Sequence, residues 1–122
     1  RIILKTQPYL QTIYHCTIGE AAMAKYAINT FLATKVSFMN EIYKLAQKMN
    51  CDYEIVSQMV MSDNRIGRSH MKVPGPDGKF GFGGMCFPKD TSALLKFAES
   101  NGVHLGVLDS AIRVNKSLRD DV

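Results

Sequence analysis

The sequence predicts an all-α domain built around one long helix. Three observations carry that prediction. The stretch from Thr17 to about Asn50 holds no proline, and its one glycine, Gly19, falls in the first turn. Shorter apolar-periodic segments follow, opened by capping residues, one of them closed by Asn101-Gly102. The chain-breaking residues are concentrated in a single loop: six of the nine glycines lie between Gly67 and Gly84, and three of the four prolines between Pro74 and Pro88. Glycine costs backbone entropy and proline removes a donor, so this loop is neither regular helix nor central strand.

Residues 1–16 read as a helix over about 1–12 and a short extended piece, Ile13-Tyr14-His15-Cys16. They make a poor start to a domain and are expected to be the remnant of a preceding one, or a linker, with the main domain spanning 17–122. The chain opens on Arg rather than Met, which fits a piece of something longer. Thr17-Ile18-Gly19-Glu20 has the form of a capping box and opens the long helix, 17 to about 50. Roughly 33 residues make a rod of about 50 Å, enough to cross the domain or reach into a partner.

Thr30, Thr34, Ser37, Glu41, Lys44 and Lys48 form one polar stripe on that helix. Phe31, Phe38, Ile42, Leu45 and Met49 flank it on one side, and Leu32, Val36, Met39 and Tyr43 on the other. So narrow a polar stripe implies burial on more than one side, and a symmetric homodimer through this helix is expected. Lys25 and Asn29 extend the Leu32/Val36/Tyr43 line, where a lysine and an amide need partners. A snorkelling lysine and a satisfied core asparagine would meet that need without any functional role.

Asp52 caps a helix over about 53–61. Asp90 caps the next, from Thr91 to Ser100, which stops at Asn101-Gly102. A last helix over about 105–119 carries Leu105, Leu108, Ile112, Asn115 and Leu118.

The 122 residues suit one domain with a modest core. No apolar run approaches membrane-spanning length. Three cysteines without close pairs do not make a disulfide framework, so a reducing, cytoplasmic setting is expected, and no zinc-binding spacing occurs. The net charge is +4, and between Arg65 and Lys89 there are five basic residues and one acid, Asp77. The loop therefore favours an anionic ligand. Nucleic acid is disfavoured, because a basic face interleaved with stacking aromatics is missing.

Cys86 stands at the end of the glycine loop, near Lys89 and just before a helix. Positive charge and a helix N-terminus favour thiolate, the nucleophilic form of cysteine. Cys16 and Cys51 lack that setting and read as structural. The Asp90 carboxylate can orient water or accept a proton as well as cap a helix. Arg65, a guanidinium introducing a glycine loop, suits a phosphate or sugar hydroxyls. His70 receives no role. Gly81-Phe82-Gly83-Gly84 is not a dinucleotide fingerprint: no buried strand leads into it and no βαβ pattern surrounds it.

Three motifs resemble those of the UDP-glucose/GDP-mannose dehydrogenases. Gly81-Phe82-Gly83-Gly84-Met85-Cys86-Phe87-Pro88-Lys89-Asp90 looks like the active-cysteine signature of that family. The segment from Glu20 to Ala33 looks like its central-helix signature, and Asp63-Asn64-Arg65-Ile66-Gly67 also matches. The resemblance covers about 17–120 and implies the central, dimer-forming helical domain, between an NAD-binding domain and a nucleotide-sugar-binding domain. It implies oxidation of the C6 alcohol of a nucleotide sugar such as UDP-glucose to a carboxylate, with two NAD. Cys86 would be the nucleophile, forming a thiohemiacetal and then a thioester. Lys25 and Asn29 would bind substrate and stabilise the oxyanion, and Asp90 would position the hydrolytic water. Phe80, Gly81, Phe82 and Gly83 would lie over the sugar nucleotide, Arg65 would reach the neighbouring subunit's substrate, and Lys89 would lie close to NAD.

The family's NAD domain also supplies a glutamate and a threonine that assist hydrolysis, so this stretch alone is expected to be inactive. Two departures bear on which sugar is used: the segment 68–79 is longer than in many members, and His70 stands where many carry an aromatic. The competing reading is a non-catalytic helical dimerisation module that retains the motifs.

Overall fold

A computed structural model describes residues 2–5 and 13–122. Among the described residues two strands, β1 (Ile2–Lys5) and β2 (Ile13–Cys16), precede four helices: α1 (Ile18–Lys48), α2 (Tyr53–Met61), α3 (Cys86–Ser100) and α4 (Gly106–Leu118). The domain that follows the strands is all-α, as expected.

The N-terminal helix is corrected. Residues 2–5 form a strand that pairs antiparallel with β2 in the register Ile2↔Cys16 to Lys5↔Ile13. Paired isoleucines favour extended backbone, and a cross-strand partner outweighs a weak local helical spacing. Residues 1 and 6–12 of the expected helix lie outside the described residues.

The capping box at Thr17 is complete. The Thr17 hydroxyl accepts from the Glu20 N–H at 3.0 Å, and the Glu20 carboxylate accepts from the Thr17 N–H at 2.8 Å. At the other end Asn50 takes a left-handed φ of 56°. The Cys51 N–H then reaches back to the Ala46 carbonyl at 2.8 Å, which stops the rod. The helix ends at Lys48, close to the expected boundary.

Helix α1 packs chiefly against α3 and α4. The polar stripe is corrected accordingly. Thr30 and Ser37 are buried, with Thr30 donating to the Tyr26 carbonyl at 2.7 Å and Ser37 to the Ala111 carbonyl of α4 at 2.9 Å. Short hydroxyl side chains satisfy themselves against backbone and let helices approach, so a periodic row of them need not face water. Phe31, Phe38, Leu45 and Met49 of the expected core flank are instead more than half exposed in the single chain.

Helix α3 begins at Cys86, five residues before the expected start. Pro88 occupies its first turn, where the missing N–H has no intrahelical acceptor to serve. Asp90 is therefore not a cap. It lies inside the helix and is 5% exposed.

The long irregular segment between α2 and α3 is anchored at several points. Met71 and Val73 enter a cluster with Met39, Ala46 and Tyr53. The Tyr53 hydroxyl donates to the Met71 carbonyl at 2.6 Å. The Lys35 ammonium of α1 donates to the Ile66 carbonyl at 3.1 Å.

Candidate functional site

The Glu20–Ala33 segment lies on α1 and the end of the cysteine segment, from Cys86 to Asp90, on α3, and the two helices touch. Lys25 and Asn29 are one turn apart on α1, and Cys86 and Asp90 one turn apart on α3, so each pair shares a face. The two helices are joined where Asn29 Nδ2 donates to Asp90 Oδ2 at 2.7 Å, across 61 residues of sequence. Lys89 Nζ stands 3.8 Å from the other carboxylate oxygen. Asp90 thus has a neutral donor on one side and a cation on the other, which is how a buried carboxylate is accommodated.

Cys86 is the first residue of α3, and its side chain is exposed. Met85, the N-cap, offers no side-chain hydrogen bond, so no cap side chain covers the free N–H groups of the first turn. Lys25 is exposed rather than buried, at the outer end of the line that Asn29 continues inward. Among the described residues no hydrogen bond or ion pair joins Lys25 to Cys86.

The glycine loop is held by side chains the sequence reading did not assign to it. The Gly81 N–H donates to Asn40 Oδ1 at 3.0 Å. The Phe82 N–H donates to Asn115 Oδ1 at 2.7 Å, and Asn115 Nδ2 donates back to the Phe82 carbonyl at 2.9 Å. Arg119 donates to the Phe80 carbonyl at 3.4 Å and to Asp77 Oδ2 at 2.8 Å. A signal was present for Asn115, an amide on the face that carries Leu108, Ile112 and Leu118, because a buried amide needs partners; Asn40 stands beside Ser37 and Lys44 and gave none.

Phe82 is buried, and its ring meets Phe87 edge-on at 6.1 Å. Phe80 is 40% exposed and packs on Tyr43 at 5.4 Å. A cavity of about 410 Å³ opens beside the loop, lined by Gly81, Phe82, Gly83 and Gly84 and by His70 and Lys72. His70 stacks at 5.5 Å on Phe87, and burial, then the Lys35 charge, pull its pKa below the usual histidine value. Lys72 was not singled out from the sequence.

Arg65 lies elsewhere. It forms a two-pronged pair with Asp63, Nε to Oδ1 at 3.0 Å and Nη2 to Oδ2 at 2.7 Å. With Ile66 it lines a second cavity against Phe31 and Phe38, on the open side of α1. Among the described residues no cluster of three His, Cys, Asp or Glu side chains could hold a metal. No helix among them is long and apolar enough to cross a membrane.

The model of the UDP-glucose/GDP-mannose dehydrogenase family, central domain, matches residues 19–117. The chain belongs to this family. It is 40% identical over 113 residues to UDP-glucose 6-dehydrogenase TuaD of Bacillus subtilis, covering 93% of this chain and 23% of that protein. It is 46% identical over 89 residues to a UDP-glucose 6-dehydrogenase of Pseudomonas aeruginosa, covering 73% of this chain and 18% of the relative. Among solved structures, a UDP-glucose dehydrogenase from the archaeon Pyrobaculum islandicum superposes with a TM-score of 0.71 at 43% identity, over 80% of this chain and 22% of that one. The chain thus spans about a fifth to a quarter of the length of these dehydrogenases.

Proposed function

We propose that this chain is the cysteine-bearing central domain of an NAD-dependent nucleotide-sugar 6-dehydrogenase acting on UDP-glucose or a close relative. The observation that carries the reading is the Asn29–Asp90 hydrogen bond, which ties the helix bearing Lys25 to the helix that begins with Cys86. Residues 1–16 then belong to the end of a preceding domain, and residues 17–122 are the central one.

In this reading the Cys86 thiolate adds to the C6 aldehyde carbon. A carbon–sulfur bond forms, and the carbonyl electrons move to oxygen as an oxyanion. Asn29 Nδ2 carries two protons. One is committed to Asp90, and the other remains for that oxyanion beside the Lys25 ammonium. At the thioester stage a water oxygen bonds to C6, its proton passes to Asp90, and the sulfur leaves as thiolate. Phe80, Gly81, Phe82 and Gly83 face the sugar nucleotide.

Alcohol to carboxylate releases two hydrides, and accepting them is the chemistry NAD supplies. The described residues do not fit the principal NAD site: the one step from strand to helix among them, Cys16-Thr17-Ile18-Gly19, lacks the glycine-rich turn that a pyrophosphate needs. Lys89, 73% exposed, is the residue proposed to lie against the cofactor. The open row Phe31, Phe38 and Leu45 supports a homodimer through α1. Arg65, beside that row, would then reach a substrate held by the partner.

The test uses the full-length enzyme with UDP-glucose. Two NADH per sugar consumed are expected, with activity abolished in Cys86→Ala. Unchanged turnover in Cys86→Ala would refute the mechanism, and the dimerisation-only reading would follow from a folded protein with no activity on any nucleotide sugar.

A further inference from the structure

The backbone from Phe80 to Phe82 is gripped by two residues from the far end of the chain. Asn115, on α4, is 2% exposed and pairs with both backbone groups of Phe82, as a neighbouring strand would. Arg119, just beyond α4, has a side chain that is 2% exposed. Its guanidinium binds the Phe80 carbonyl, Asp77 Oδ2 at 2.8 Å, and Asp121 through Nε at 2.8 Å and Nη2 at 3.0 Å.

The turn that carries Asp77 is closed on itself, with the Gly75 N–H donating to the Lys79 carbonyl at 2.9 Å and the Lys79 N–H to Asp77 Oδ1 at 3.0 Å. Arg119 therefore holds a rigid turn and the loop that follows it in one grip. The fit leaves no slack. A Cβ on Gly81 would collide with Asn115 Oδ1, and one on Gly83 with the Arg119 guanidinium. Cys86 begins its helix three residues after Gly83.

We propose that Asn115 and Arg119 are positioning residues, which fix the Phe80–Gly83 backbone in the place where it meets the sugar nucleotide relative to Cys86. The inference rests on the reading of that loop as substrate-facing. Neither residue touches the reacting atoms. They act through the loop, and a misplacement of about 1 Å at such a loop is enough to lower kcat/KM by about a hundredfold.

The test compares wild type, Arg119→Ala, Arg119→Lys and Asp77→Asn in the full-length enzyme, at a temperature where each is folded. In Arg119→Ala the KM for UDP-glucose is expected to rise about tenfold to a hundredfold. Deuterium uptake in the 75–84 segment should quicken in parallel. Arg119→Lys keeps the charge but loses the fork, and should fall between. Asp77→Asn disturbs the grip from the exposed side of the turn, so a smaller KM rise there tests the proposal even if Arg119→Ala fails to fold. A lowered melting temperature with wild-type KM and wild-type loop exchange would overturn it, leaving Arg119 purely structural. Wild type that forms no NADH with any nucleotide sugar would instead overturn the functional reading and this inference with it. An active wild type, an inactive Cys86→Ala and an unshifted Arg119→Ala would sink the positioning role alone.

Discussion

Asn29 Nδ2 and Asp90 Oδ2 lie 2.7 Å apart, joining the first third of the chain to the helix that starts at Cys86. Asp90 is almost wholly covered, so this one donor decides much about the carboxylate. Removing it in Asn29→Ala leaves a buried charge short of a partner and should cost about 1–3 kcal/mol. Asn29→Asp should cost more, because two carboxylates would face each other. Urea denaturation at pH 7 measures both.

The glycines of the loop are not equivalent. Gly78 has a φ of 77° but open space at its Cβ position, so Gly78→Ala should lose only the left-handed backbone penalty, about 1–2 kcal/mol. Gly81 combines a φ of 73° with the Asn115 collision, and Gly81→Ala should lose clearly more. Melting curves of the two variants give the order directly. Equal losses would contradict the packing described for Asn115.

Tyr53 should make stability fall in alkali. Its pKa is raised to about 12, first by burial and then by the Glu54 charge. A folded-state value above the unfolded one means the contribution is complete below the unfolded pKa of about 10 and is lost as pH climbs toward 12. Denaturation midpoints between pH 9 and 12 should decline in wild type and decline less in Tyr53→Phe. That variant should already be about 1 kcal/mol less stable at pH 7, because the Met71 carbonyl loses its donor.

At the acid end the sign reverses. Hydrogen bonds from Arg119 hold the Asp121 and Asp77 carboxyls below the usual range. Their contribution is present above the unfolded value of about 3.9 and disappears as pH falls through the lower folded values. Wild type should lose stability below about pH 4 more steeply than Arg119→Ala, in which neither carboxylate has its guanidinium. Parallel profiles would mean the pairs contribute nothing measurable.

The open side of α1 gives a prediction about assembly. Phe31, at 69% exposure, and Phe38, at 57%, stand one helical heptad apart with Leu45 beyond them. If the proposed homodimer forms through this row, Phe38→Glu places a charge in its middle and should shift dimer to monomer in analytical ultracentrifugation. A variant that stays dimeric would move the interface off this face.

Much of the helical plan was readable because it is written locally. The capping box at Thr17, the Asp52 cap and the Asn101-Gly102 stop each depend on residues within one turn, and each stands where the chain announces it. The start of α3 was misread because Pro88 looks like a loop residue unless one knows it falls in a first turn, where its missing N–H costs nothing. The N-terminal strand was missed for a different reason, since its partner supplies the hydrogen bonds that local spacing does not reveal.

Composition and periodicity alone determined the fold class and the place of the glycine loop and brought Cys86 and Asp90 forward for chemistry, while Lys25 and Asn29 came forward through the family resemblance. Only the tertiary structure decided that Asn29 binds Asp90, that Asp90 is buried rather than capping, and that Asn40, Asn115 and Arg119 shape the loop. The physical reason is range. Caps and periodicity are satisfied by neighbours in sequence, whereas a buried amide or guanidinium takes whichever distant carbonyl or carboxylate the packing of α1, α3 and α4 delivers to it.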